Sequence, residues 1–172
     1  MNAIAAGVVV LVALERLAEL WHAQRNTRAL LEDGGIEVGR EHYPLMVVLH
    51  AAWLLAILLT VPPEAGVSLP LLVVLAVLQG CRIWVLMSLG RFWTTRVITV
   101  PGAPLVRRGP YRFLRHPNYV VVAAEIAVLP LAFGAWAVAV VFSALNAALL
   151  TWRISLEDQA LAPRRQGSHT IP

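Results

Sequence analysis

Apolar runs of membrane-spanning length alternate along this chain with short polar stretches rich in arginine. The first run starts at Asn2 and reaches Trp21 or beyond, carrying Glu15, Arg16 and Glu19 near one end. Residues 22–42 are polar and are broken by Gly34-Gly35, which predicts a short interfacial helix followed by a loop. A second run covers Tyr43 to Val61 and stops at Pro62-Pro63; a third covers Ser68 to Leu89 and contains Gln79 and Arg82. Gly90 to Pro117 is polar again and holds six arginines. Its stretch from Arg96 to Pro101 is β-prone and predicts an extended, ligand-covering segment rather than a sheet. Fourth and fifth helices are predicted over Asn118–Leu131 and Trp136–Trp152, with only Pro130 and Gly134 to break them. That spacing predicts a tight antiparallel hairpin, followed by a polar tail from Arg153.

Composition sharpens this into a fold class. Hydrophobic residues make up 59% of the 172 and charged residues 14%, against about 25% charged in soluble domains. A crossing takes about 20 helical residues, so the chain is expected to be an all-α integral membrane bundle of about five transmembrane helices. Its C-terminal hairpin would sit beside a cytoplasmic cofactor-covering loop. Residues 1–172 read as a single membrane domain with no internal repeat: three N-terminal helices over 1–89, then loop, hairpin and start of the tail over 90–161. The N-terminus has no basic stretch before its apolar run, so no cleavable signal peptide is expected.

All fourteen basic residues are arginine, and twelve of them fall in the loop after the first helix, the loop after the third, and the tail. Positive residues stay on the cytoplasmic side, which predicts the N-terminus outside and the C-terminus inside. The net charge of +4 in so apolar a chain points to anionic lipid headgroups and not to nucleic acid. The single cysteine, Cys81, excludes an internal disulfide.

The chemistry concentrates in Gly109–Tyr119, where Gly109-Pro110 marks a turn and Arg115-His116-Pro117 opens a helix. The predicted hairpin brings His116 to the membrane depth of Arg153, with Glu157 one turn further on. Tyr111, Arg112, Asn118 and Tyr119 complete a set that offers an anion binder, aromatic faces and a carboxylate. Each also has a plainer role: His116 as a helix cap, the tyrosines as interfacial aromatics, Arg153 and Glu157 as a surface pair. Glu125, two turns into the fourth helix, needs a partner or water at that depth. Asn146 across the hairpin is a candidate partner, and both are candidate substrate contacts. Glu15 and Glu19 share a helix face: either they lie at the headgroup boundary where the helix leaves the membrane, or they face the bundle and pair with an arginine, for which Arg82 is a candidate. The five histidines, 22, 42, 50, 116 and 169, are scattered, and no clustered metal ligands are seen.

Leu105-Val106, Gly109-Pro110-Tyr111, Arg115-His116-Pro117-Asn118-Tyr119 and, one hairpin later, Arg153 and Glu157 together resemble the isoprenylcysteine carboxyl methyltransferase family. The resemblance covers about residues 90–161. It implies an integral membrane enzyme that binds S-adenosylmethionine without a Rossmann domain. On that resemblance Ala103, Pro104, Leu105, Val106, Tyr111, His116, Pro117, Asn118, Tyr119 and Glu157 would wrap the cofactor. Arg153 would hold the methyl acceptor, with His116 or Glu157 available to remove a proton. The acidic run that follows the arginine in the family is reduced here to Glu157-Asp158, and the aromatic-rich tail is replaced by Ala162-Pro163-Arg164-Arg165. The stretch from Trp93 to Leu131 is similar to bacterial members, some of which O-methylate long-chain alkylresorcinols or alkylpyrones beside type III polyketide synthases. The implied partners are therefore a lipophilic small-molecule acceptor and membrane lipids. An NADPH-dependent membrane reductase and a non-enzymatic scaffold or transport subunit stay open as alternatives.

Overall fold

The computed structural model describes residues 2–167, so His169 lies outside the described residues. Five helices account for most of it: α1 (Ala3–Glu32), α2 (His42–Thr60), α3 (Leu69–Leu89), α4 (Pro117–Leu131) and α5 (Trp136–Gly167). This is an all-α membrane bundle. The helices of His42–Thr60, Leu69–Phe92 and Trp136–Arg165 are long and apolar enough to span a bilayer. The 15 residues of α4 rise only about 22 Å at 1.5 Å each, so α4 falls short of a ~30 Å hydrocarbon core. It lies instead between α3 and α5, its closest packing partners.

One end of the bundle is tied by backbone. Asn2 caps α1 by accepting from the amides of Ile4 and Ala5, at 3.0 and 3.1 Å. Its amide group also donates to the carbonyls of Pro63 and Ala65. The Ser68 amide donates to Ala132 O at 2.9 Å, joining the start of α3 to the α4–α5 turn. That turn closes as expected, with Gly134 at φ 72°. Beneath it a core of Val9, Trp53, Ile57, Ile126, Leu129 and Phe133 draws on α1, α2, α4 and the turn itself, and Leu75 of α3 and Val138 of α5 complete it. Trp53 Nε1 donates to Ile126 O at 3.2 Å. On the outer face of α1, Val10, Leu11, Leu14 and Leu17 are exposed, the face a bilayer covers.

Three expectations need correction. First, residues 22–32 are not a separate interfacial helix but continue α1 unbroken to Glu32; this polar stretch is rich in helix formers and is held by Asn26, which donates to Gly90 O and Trp93 O. Second, the β-prone segment does pair. Strand β1 (Ile36–Val38) runs antiparallel to β2 (Val97–Thr99), with Glu37 opposite Ile98, and Arg96 Nη1 meets Glu37 Oε1 at 3.0 Å. A strand of three residues is too short to show alternation, so β1 leaves no pattern in the sequence. Third, the tail from Arg153 is helical: α5 runs on to Gly167 because one face keeps packing against the ribbon.

At the ribbon end a second small core of Ala23, Val85 and Trp93 supports Tyr111. The 3₁₀ turn Gly109–Arg112 packs against α3. Gly109 has φ 58°, and a Cβ there would strike the Ser88 side chain, so only glycine lets this turn lie against the helix.

Candidate functional site

The turn, the 105–107 segment, β2 and the last turns of α5 enclose a cavity of about 490 Å³. One wall is apolar, made by Leu89, Phe92, Val97, Leu105, Val106 and Leu161; the other carries His116, Asn118, Tyr119, Arg153 and Glu157. The hairpin does what its spacing predicts: residues 34 to 42 positions apart along the chain meet across one cavity.

The polar wall is a connected chain. Tyr119 sits one turn into α4, its hydroxyl donating to Glu157 and accepting from Arg153 Nε at 2.8 Å. Arg153 and Glu157, four residues apart on α5, are thus joined through a phenol from α4. His116 precedes α4 but does not cap it with its side chain. Its Nε2 lies 3.2 Å from Asp158 Oδ1 and its Nδ1 3.6 Å from Glu157 Oε1, and its ring stacks on Tyr119 at 5.4 Å between centroids. Glu157 raises the imidazole above its ordinary pKa, Asp158 adds to this, and burial opposes them. Asp158 is held in turn by Arg165 at 2.6 Å. Burial pushes the Tyr111 phenol above its usual value, with the Glu157 charge reinforcing it.

Two buried polar atoms beside the cavity lack a hydrogen-bond partner: Asn118 Oδ1 and Trp93 Nε1. A buried orphan acceptor or donor is costly unless something fills it. A ligand carrying hydroxyls, an ammonium group and an adenine would supply both kinds of partner, so the wall fits S-adenosylmethionine.

The expected residues distribute unevenly. Leu105, Val106, Tyr111, His116, Asn118, Tyr119, Arg153 and Glu157 line the cavity. Ala103 and Pro104 do not; their carbonyls accept from Arg164 Nε and Nη2, at 2.8 and 2.9 Å. Pro117 is buried as the first residue of α4. Glu125 and Asn146 are both buried and neither lines the cavity. Glu125 pairs with Arg82 at 3.3 Å and Arg16 at 3.5 Å, not with Asn146. Arg82 also takes both oxygens of Glu19, each at 2.5 Å, as its candidate pairing suggested. Gln79 joins this buried network by donating to Glu15 at 2.8 Å.

Sequence reasoning missed His42. It begins α2, is 1% exposed, and its Nε2 lies 2.7 Å from Arg153 Nη1. Met46 Sδ, one turn on, is 3.0 Å from the same nitrogen. Its sole signal was a histidine at the very edge of an apolar run.

Residues 70–163 match the sequence model of the Isoprenylcysteine carboxyl methyltransferase (ICMT) family. The uncharacterized protein YpbQ of Bacillus subtilis is 37% identical over 158 residues, covering 90% of this chain and 94% of its own. An uncharacterized Haemophilus influenzae protein is 25% identical over 153 residues, 86% of each chain. No solved structure matches this chain.

Proposed function

This chain belongs to the isoprenylcysteine carboxyl methyltransferase family, membrane methyltransferases that generally use S-adenosylmethionine, and from that premise we propose that it methylates an oxygen of a lipophilic acceptor. The observation that carries the reading is the Tyr119 hydroxyl, which couples Arg153 and Glu157 on the wall of a cavity whose neighbouring buried polar atoms await a ligand.

The roles follow from the chemistry of the wall. Asn118 Oδ1 and the Glu157 carboxylate would accept hydrogen bonds from ligand hydroxyl and ammonium groups, and Trp93 Nε1 would donate one. Glu157, already accepting from Tyr119, is held in place for this. Bound S-adenosylmethionine supplies an electrophilic methyl group. Arg153 orients the acceptor oxygen and favours its anionic form through charge-assisted hydrogen bonds. A carboxylate acceptor requires no base, whereas a phenol or enol must lose a proton, for which Glu157 and His116 are the nearest groups. The apolar wall of Leu89, Phe92, Leu105, Val106 and Leu161 suits an alkyl or prenyl tail. The acceptor is accordingly a long-chain alkyl polyketide with an acidic hydroxyl, or a prenylated carboxylate. The clustering of arginine in alternate loops supports a site facing the cytoplasm, with the N-terminus outside.

The experiment is transfer of labelled methyl from S-adenosylmethionine into a total membrane-lipid extract by the detergent-purified chain, with identification of the labelled product. Cofactor binding is checked in parallel by calorimetry. No heat and no thermal shift at millimolar S-adenosylmethionine would defeat the reading.

A further inference from the structure

We propose that His42, which lies before the region matched to the family, is a positioning residue that aims the guanidinium of Arg153 at the acceptor. The inference rests on the methyltransferase reading for what Arg153 binds, but its geometry stands alone. His42 Nδ1 hydrogen-bonds to the carbonyl of Gly39. A carbonyl only accepts, so Nδ1 carries the proton. Nε2 faces Arg153 Nη1 at 2.7 Å, and a guanidinium only donates. Nε2 must then present its lone pair. The two contacts together admit one form of the ring: neutral, protonated on Nδ1.

That form consumes the donors of Arg153 in order. Nε goes to the Tyr119 hydroxyl and Nη1 to His42, with Met46 Sδ beside it. Nη2 makes no hydrogen bond among the described residues, and it is not among the buried atoms left without a partner. It is the donor that remains for a ligand. His42 itself is fixed from three sides. The left-handed Gly39 turn (φ 61°) supplies the carbonyl, and Trp152 meets the ring edge-on at 6.1 Å. The strand β1 that delivers the turn is locked to β2, a cavity wall, through Glu37 and Arg96. The charges facing His42 are Arg153 from α5, Glu37 from β1 and its neighbour Glu41. The fixed orientation of a catalytic arginine by a neutral imidazole is thus a contribution of the N-terminal half to chemistry otherwise placed on the C-terminal hairpin.

Two readouts test this on the full chain in detergent. Ring-nitrogen NMR of ¹⁵N-histidine protein, assigned with His42→Gln, should show His42 neutral and Nδ1-protonated at neutral pH. In methyl transfer, with S-adenosylmethionine and a total membrane-lipid extract as probes, His42→Ala should raise the half-saturating lipid concentration about tenfold or more. Half-saturation by S-adenosylmethionine should stay where it is. His42→Gln, which keeps an acceptor facing Arg153, should recover to within about threefold of the wild type. A doubly protonated or Nε2-protonated His42 overturns the inference. So does His42→Ala behaving as wild type, or equal rises in both constants for Ala and Gln. A wild type that neither binds S-adenosylmethionine nor transfers label defeats the methyltransferase reading instead, and the NMR spectrum still decides whether His42 holds Arg153 as described.

Discussion

The hydroxyl of Tyr119 accepts from Arg153 Nε at 2.8 Å and donates to the Glu157 carboxylate, so one phenol on α4 sets the spacing of two charged residues on α5. Tyr119→Phe keeps the ring that stacks on His116 but removes both bonds. Arg153, 5% exposed, is left with a buried donor unpaired, which costs about 1–3 kcal/mol. Thermal unfolding in detergent should fall accordingly, and methyl transfer should drop by about ten- to a hundredfold. A variant with full transfer would show that Arg153 and Glu157 hold their places without the bridge.

His116 gives the site a pH signature. The sign follows from its raised pKa: the folded state binds the proton more tightly than the unfolded chain, whose histidine titrates near 6.5. The stabilisation from the imidazolium between Glu157 and Asp158 is fully present below 6.5 and is lost as pH rises through the raised folded value. Wild-type melting temperature should therefore decline on the alkaline side of 6.5. His116→Gln should flatten that decline while leaving the remaining pH dependence in place. Parallel curves for the two proteins would show that the charge on His116 contributes nothing.

Much of this site is readable in the chain, and the unreadable part has a common cause. Pro117–Leu131 and Trp136–Trp152 are apolar runs of comparable length with a Pro130/Gly134 break, so the depth match of His116 with Arg153 follows from local pattern. Glu19 with Arg82 follows from the cost of charge in a membrane. His42 could not be found this way: its contact with Arg153 spans 111 residues, and one histidine at the edge of an apolar run has no periodicity. The candidate partner of Glu125, Asn146, was wrong because two arginines, 16 and 82, reach it from other helices, and helix spacing within the hairpin cannot see them. The unbroken run of α1 through 22–32 was read as a separate interfacial helix because polar composition marks departure from lipid, not departure from helix.

The Arg82 network yields a stability prediction. Arg82 binds Glu19 and Glu125 inside the bundle. Removing it leaves two carboxylates facing each other with only Arg16 between them. Breaking one side of a buried pair costs about 3–5 kcal/mol, so Arg82→Leu should unfold at much lower temperature or denaturant than wild type. The double variant Arg82→Leu with Glu19→Leu should regain part of the loss, because it removes a charge along with its partner. Failure of the second change to restore anything would assign the loss to packing of the arginine stem rather than to charge.

Arg164 separates cofactor contact from cofactor enclosure. It lies on α5 beyond Glu157 and reaches across to the carbonyls of Ala103 and Pro104. The adjoining Leu105 and Val106 form part of the apolar wall, and Arg164 itself lines the cavity. Without this clasp the 103–106 segment loses two charge-assisted bonds to α5, each worth about 1.5–3 kcal/mol, though an exposed segment recovers most of this from water. Arg164→Ala should fold with little change in melting temperature and weaken S-adenosylmethionine binding by about tenfold, read by calorimetry. Arg164→Lys cannot span both carbonyls with a planar fork and should recover only part of the affinity. If Arg164→Ala binds S-adenosylmethionine as tightly as wild type, the 103–106 segment encloses the cavity without help from α5.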